Sequence, residues 1–213
     1  MTTIKKVQII ISTLKSIYPE PVCALTYVFP WQLLISARLS AQCTDKRVNI
    51  VTPDLFFKYP TLDSLAAAPL EDVEKIIFPC GLYKTKAKDV VGIASTLINK
   101  FNSTVPSEMS ELLSLPGVGR KTANLIRGDI FGLPAIVADT HCIRISNRLG
   151  LTKSTIQAKV ESDLVKIIPP EESSDFCHRL VLFGRDVCKA QNPQCNNCSL
   201  KILCKYHLGS VEK

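Results

Sequence analysis

Apolar residues recur at three- and four-residue steps along almost the whole chain. Ile4, Val7, Ile10, Ile11, Leu14 and Ile17 form one such row with lysines between them, which predicts a helix over residues 3–18. Trp31–Ala41 repeats the pattern through Leu33, Leu34, Ala37 and Leu39. The same periodicity predicts helices over 62–68, 70–77, 84–101, 107–114, 119–131, 140–149, 155–167 and 173–186. Thr44–Lys58 admits two readings, because Pro53 can either kink one helix or open a second. No stretch alternates enough to demand a strand, and Ala135–Val137 is too short to count. Short joints containing Pro or Gly separate the helices, with no flexible linker. The expected class is all-α.

Composition narrows the setting. A hydrophobic fraction of 46% and a charged fraction of 21% suit an ordinary soluble globular protein. No apolar run approaches the roughly 20 residues of a membrane-spanning helix. The early apolar stretch Val7–Ile11 is interrupted by Gln8 and is too short for a secretory core. The expectation is a cytoplasmic protein with no membrane partner. Its net charge of +7 makes a polyanion such as nucleic acid a plausible partner.

Leu115-Pro-Gly-Val-Gly-Arg-Lys-Thr-Ala123 is the most informative local segment. Pro116 and Gly117 stop one helix, and Gly119 permits the tight backbone before the next. Such a turn aims backbone N–H groups outward from a helix N-terminus, where they can hold a phosphate. Gly117, Val118, Gly119 and Arg120 are therefore candidate backbone-binding residues. Lys121 falls in the first turn of the following helix, where the macrodipole and neighbouring Arg120 disfavour a cation. That is the environment an amine nucleophile needs.

Asp139, in Ile136-Val-Ala-Asp-Thr-His-Cys-Ile143, stands just before a helical pattern. It can cap that helix, and it can also stabilise positive charge developing on a sugar ring. The two roles are compatible.

Of nine cysteines, Cys23, Cys43, Cys80, Cys142 and Cys177 are dispersed and read as small buried hydrophobes. Cys188-x6-Cys195-x2-Cys198-x5-Cys204 is a tight cluster and reads as a metal site, either zinc or [4Fe-4S]. Arg185, Lys189, Lys201 and Lys205 make its surroundings basic, and Lys189 is a candidate DNA contact.

Together the Leu-Pro-Gly-Val-Gly-Arg-Lys hairpin, the Val-Ala-Asp-Thr-His segment and the cysteine loop closely resemble bacterial endonuclease III. The likeness extends to Leu39-Ser-Ala-Gln-Cys-Thr-Asp45 and Gly81-Leu-Tyr83. The resemblance implies a [4Fe-4S] cluster on Cys188, Cys195, Cys198 and Cys204. It implies a six-helix domain over 22–132, with the helix–hairpin–helix at about 107–131. A second helical domain would join 1–21 to 133–213 around the cluster loop 188–204, the two flanking a DNA-binding cleft. The implied activity is that of a bifunctional DNA glycosylase and abasic-site lyase, a monomer in the bacterial cytoplasm associated with the nucleoid. Its partner would be double-stranded DNA containing damaged pyrimidines or abasic sites. Lys121 would be the nucleophile and Asp139 its acidic partner. Gln42 would fill the gap left by the flipped nucleotide, Leu82 would wedge beside it, and His141 would lie near the lesion.

Two rivals are weaker. The adenine-mispair glycosylases of the same superfamily lack the nucleophilic lysine and carry a glutamate in the helix matching 31–41, whereas no Asp or Glu occurs here between Glu20 and Asp45. A non-enzymatic DNA-binding protein would have no use for a lysine at the helix start together with Asp139.

Overall fold

The computed structural model describes residues 2–211, and among these no strand occurs. The all-α class is as expected. The described helices, in order, are α1 (Thr3–Ile17), α2 (Pro30–Leu39), α3 (Asp45–Lys58), α4 (Leu62–Ala66), α5 (Leu70–Ile77), α6 (Tyr83–Phe101), α7 (Met109–Leu113), α8 (Arg120–Phe131), α9 (Thr140–Leu149), α10 (Gln157–Val165), α11 (Ser173–Asp186) and α12 (Lys205–Val211). The chain divides into two compact units, Cys23–Phe131 and the combination of Met1–Val22 with Gly132–Lys213.

Within Cys23–Phe131, α2 is the central element. Its residues Trp31–Ala37 and Leu39 are all buried, so it is covered on every side by neighbours. Those neighbours are α3, α6 and α8. Pro30 opens the helix where an N–H would find no partner anyway. The Gln32 side chain then turns back to accept hydrogen bonds from the Val28 and Phe29 amides, at 2.8 and 3.1 Å. Val48, Leu55, Ile77, Val90, Ile93, Leu97, Ala123 and Ile126 close the core around it.

Thr44–Lys58 resolves as one helix, α3, with Thr44 as N-cap and Pro53 inside. Proline removes one ladder hydrogen bond. The buried face of Val48, Val51, Thr52 and Leu55 holds the helix together across that gap. Thr52 adds a side-chain hydrogen bond to the Val48 carbonyl at 3.1 Å.

In the other unit α1 packs on α11 through Val7, Ile10, Ile11 and Leu14. Arg179 of α11, 3% exposed, receives the end of α1. Its guanidinium donates to the Tyr18 carbonyl at 3.0 Å and the Pro19 carbonyl at 3.3 Å. Asp175, at 3.1 Å, balances its charge. The short α12 packs on α9 and is absent from the sequence expectation, because a seven-residue polar helix shows no periodicity to detect. Cys80, Cys142 and Cys177 are buried as expected of dispersed cysteines, but Cys23 and Cys43 are only half-buried.

Leu14 is fully buried, and truncating such a side chain removes its burial and leaves a cavity. Leu14→Ala should therefore lower the unfolding free energy by roughly 2–5 kcal/mol. A denaturant titration showing less than about 0.5 kcal/mol, the range of ordinary surface changes, would mean α1 is not part of this core.

Candidate active site

The hairpin joins α7 to α8. Leu115 and Val118 are buried and anchor it, and the Val118 amide donates to the Leu115 carbonyl at 3.2 Å. Val118 therefore faces inward and uses its N–H internally, leaving it an anchor of the turn. Gly117 takes φ +67°, a left-handed conformation natural to glycine. A Cβ on Gly117 would land on the Arg38 Nε and the Asp89 carboxylate. Those two side chains form an ion pair, with Nε to Oδ2 at 2.7 Å, beneath the turn. A Cβ on Gly119, by contrast, would meet nothing within 4 Å. The Gly119 carbonyl accepts from the Ala123 amide at 2.9 Å, so α8 starts at once. The first-turn amides of any helix lack partners within it. Arg120 and Lys121 are both exposed in that first turn.

Two further exposed tips belong to the same unit. Gln42 follows α2 with φ +54°, and Leu82 precedes α6 with φ +49°. Leu82 is 58% exposed. Left-handed backbone at a bulky non-glycine residue is strained and marks places where the surroundings dictate the conformation. Nothing in the residue types announces this strain.

Asp139 belongs to the other unit, as do His141 and the cysteine loop. Ala135–Ala138 is a buried segment outside the helices, pinned to α11. The Ala135 amide donates to Ser173 Oγ at 2.9 Å, and the Val137 amide donates to Cys177 Sγ at 3.2 Å. Asp139 then caps α9, its Oδ1 accepting from the Cys142 amide at 2.7 Å. Cys142 also hydrogen-bonds Cys177, and this contact, with burial, holds the Cys177 thiol well above its ordinary pKa. Two buried cysteines thus back the Asp139 segment.

His141, half-buried in the first turn of α9, lies 3.1 Å from Arg144 Nη2 through its Nδ1. A Cβ on Gly184 would collide with that ring, so glycine is needed there on α11. Arg144 also donates to the Cys188 carbonyl, at 3.0 and 3.2 Å, linking the first turn of α9 to the start of the cysteine loop. Arg144 and Gly184 carry no motif that sequence reasoning could have caught.

Arg148 organises the loop itself. It donates to Cys188 Sγ at 3.3 Å, to the Lys189 carbonyl at 2.7 Å and to the Ala190 carbonyl at 3.0 Å. Its own carbonyl accepts from the Cys204 thiol at 3.3 Å, and its guanidinium lies 4.7 Å from the Tyr206 ring centre. Cys188, Cys195, Cys198 and Cys204 line one hollow with Leu149, Phe183 and Leu200. Burial raises the pKa of Cys195, with the charges of Cys204 and Cys188 adding to it and Arg148 opposing. Burial likewise raises Cys198, and the other three cysteines contribute in the same direction. Among the described residues, no group of three or more His, Cys, Asp or Glu side chains could hold a single metal ion. The Lys189 side chain is exposed.

Residues 35–170 match the family model for HhH-GPD superfamily base excision DNA repair proteins. Endonuclease III of Synechocystis sp. is 44% identical over 196 residues, spanning 92% of this chain and 90% of the relative. That of Bacillus subtilis is 40% identical over 206 residues, 96% and 94% of the two chains. That of Escherichia coli is 37% identical over 197 residues, 92% and 93%. The solved structure of a non-covalent endonuclease III–DNA complex superimposes with a TM-score of 0.93 at 44% identity, covering all of both chains. A trapped endonuclease III–DNA covalent intermediate gives 0.92 at the same identity, over 99% of this chain and 100% of that one. The chain belongs to the endonuclease III family within the HhH-GPD superfamily, and is thereby a base excision DNA repair enzyme.

The two hairpin glycines should respond differently to a methyl group. Gly117→Ala adds left-handed strain and a clash with the ion pair, and should cost roughly 2–4 kcal/mol. Gly119→Ala enters open space and should cost no more than about 1 kcal/mol. Equal melting temperatures for the two variants would contradict the packing beneath Gly117.

Proposed function

We propose that the chain is a bifunctional DNA glycosylase and abasic-site lyase acting on oxidised pyrimidines, with Lys121 as nucleophile and Asp139 as its acidic partner. The observation that carries this reading is an exposed lysine in the first turn of α8, directly after a turn locked from beneath by Arg38 and Asp89. A helix start of this kind suits a phosphate, and the lysine beside it suits attack on the adjoining sugar. The DNA in the structures of its endonuclease III relatives supports the choice of partner.

In the proposed reaction the duplex is bent and the damaged nucleotide rotated out of the stack. Gly117, Gly119 and Arg120 hold the phosphate backbone without reading sequence. Exposure and strained backbone at Gln42 and Leu82 support their entry into the space left behind. His141 lies near the flipped nucleotide, and Lys189 adds a phosphate contact. The Lys121 amine attacks the sugar C1′, the oxidised base departs, and the bond becomes a Schiff base. Loss of the 3′-phosphate by β-elimination nicks the strand, and hydrolysis returns the free amine. Asp139 stabilises the positive charge that develops on the sugar and assists the proton transfers. Capping of α9 occupies its Oδ1 and orients the carboxylate for that task.

Cys188, Cys195, Cys198 and Cys204 would hold a [4Fe-4S] cluster. Four thiols around one hollow, of which burial and neighbouring sulfurs make Cys195 and Cys198 costly to ionise, fit a centre that neutralises thiolates. When bound, the cluster would supply a structural cross-link that orders the basic loop around Lys189. No helix among the described residues is long and apolar enough to cross a membrane, which is compatible with the cytoplasmic location proposed.

Borohydride reduction of the Schiff base tests the nucleophile. Lys121→Gln should abolish both the trapped DNA complex and nicking at abasic sites, and trapping at the normal rate would refute the assignment. Asp139→Asn keeps a good helix cap and should therefore melt like the parent, while base release falls by a factor of about a hundred or more. A variant that loses activity only by unfolding would reduce Asp139 to its capping role.

Purified protein should contain about four irons per chain and be yellow-brown. Cys198→Ser should lose iron, solubility and DNA binding together. One zinc and no iron, in protein prepared without oxygen damage, would overturn the cluster.

A further inference from the structure

Three lysines stand at alternate positions in the first turns of α6, and they are not equivalent. Lys84 and Lys88 are exposed, whereas Lys86 is 0% exposed. An ammonium ion taken fully out of water is retained only where strong hydrogen bonds replace its hydration. Lys86 Nζ donates to the Leu39 carbonyl and to the Cys80 carbonyl, each at 2.8 Å. Neither acceptor is an acid, so this is no ordinary buried ion pair.

The two acceptors are informative. Leu39 ends α2, three residues before Gln42, and Cys80 ends a tight turn (Phe78–Cys80) two residues before Leu82. One ammonium therefore grips the stems of both exposed tips, and both tips carry left-handed backbone that would relax if released. Cys43 and Cys80 hydrogen-bond each other beside it, and burial pushes the Cys80 thiol up to about 11. Burial lowers the Lys86 pKa, and the two thiols oppose that shift. A position that only filled space would be served by leucine or methionine without a desolvated charge.

We infer that Lys86 is a positioning residue that fixes the Gln42 and Leu82 tips relative to each other, so that both enter the duplex as one wedge. The inference rests on the proposal that Gln42 and Leu82 fill the space of the flipped nucleotide. Lys86 itself reaches neither DNA nor the reacting atoms. Removing it should spare phosphate contacts and disturb only the step in which the helix is opened.

The test uses Lys86→Met, which keeps length and burial but donates nothing, with Lys86→Gln as a second variant that keeps amide donors. Gln42→Ala and Leu82→Ala serve as controls. A duplex carrying a non-cleavable tetrahydrofuran abasic analogue opposite 2-aminopurine reports by fluorescence whether the facing base is unstacked. The parent should raise the fluorescence on saturation. Folded Lys86→Met should bind the duplex with little loss, because affinity lies in the phosphates, yet give a smaller rise. Its base release from an oxidised-pyrimidine duplex should slow about tenfold or more. Lys86→Gln should recover part of both. If the two controls lose the fluorescence rise while folded Lys86→Met keeps rise and rate, Lys86 does not position the tips. If neither control loses it, the gap-filling proposal falls and this inference with it. If both Lys86 variants fail to fold, Lys86 is a core-stabilising residue and the inference is overturned.

Discussion

The ion pair between Arg38 and Asp89 is the constraint on which the Cys23–Phe131 unit depends. It lies where α2, α6 and the hairpin meet, mostly shielded from water. A guanidinium and a carboxylate at this depth gain from direction as much as from charge, since fixed donors and acceptors admit few arrangements. The pair leaves room above it for glycine alone, and so dictates that residue 117 has no side chain. The backbone of the turn is thereby seated directly on two charged groups. Lys86 joins the same two helices within one turn of that pair, through carbonyls rather than an acid. The exposed ends of this unit are therefore held by polar contacts beneath them as well as by apolar anchors such as Leu115 and Val118.

Arginines do comparable work in the other unit. Arg144 and Arg148, four residues apart on α9, send most of their donors to main-chain carbonyls of Gly184, Cys188, Lys189 and Ala190. Four residues is about one helical turn, so both guanidinium groups reach the same strip of chain. The cysteine loop is thus shaped by α9 as well as by whatever its thiols hold. Asp139 and His141 open that same helix, and the loop and the α9 start share one support.

Much of this was legible in the sequence, for a physical reason. A helix with one buried face must repeat its apolar residues at three and four steps, and α5, α9 and α11 begin and end where that repeat does. The hairpin and the capping aspartate were legible because glycine and a pre-helical carboxylate have local meanings. Lys86 was not legible. Its neighbours Lys84 and Lys88 look identical in the chain, and what separates them is a pair of carbonyls at residues 39 and 80. The strain at Gln42 and Leu82 and the glycine needed at 184 were hidden for the same reason, each set by residues distant in sequence. Pro53 left two readings open, and tertiary burial decides for one helix by outweighing the loss of one hydrogen bond.

Arg179 has a consequence in time. The carbonyls of Tyr18 and Pro19 that it satisfies are made about 160 residues before it. The Cys23–Phe131 unit is continuous and has its whole core available once residue 131 has been synthesised. The unit containing α1 is split around it and cannot close until α11 has emerged. During synthesis the apolar residues of α1 wait without their partner while the whole Cys23–Phe131 unit is completed. The order in which the chain leaves the ribosome thus sets which half of the molecule matures first.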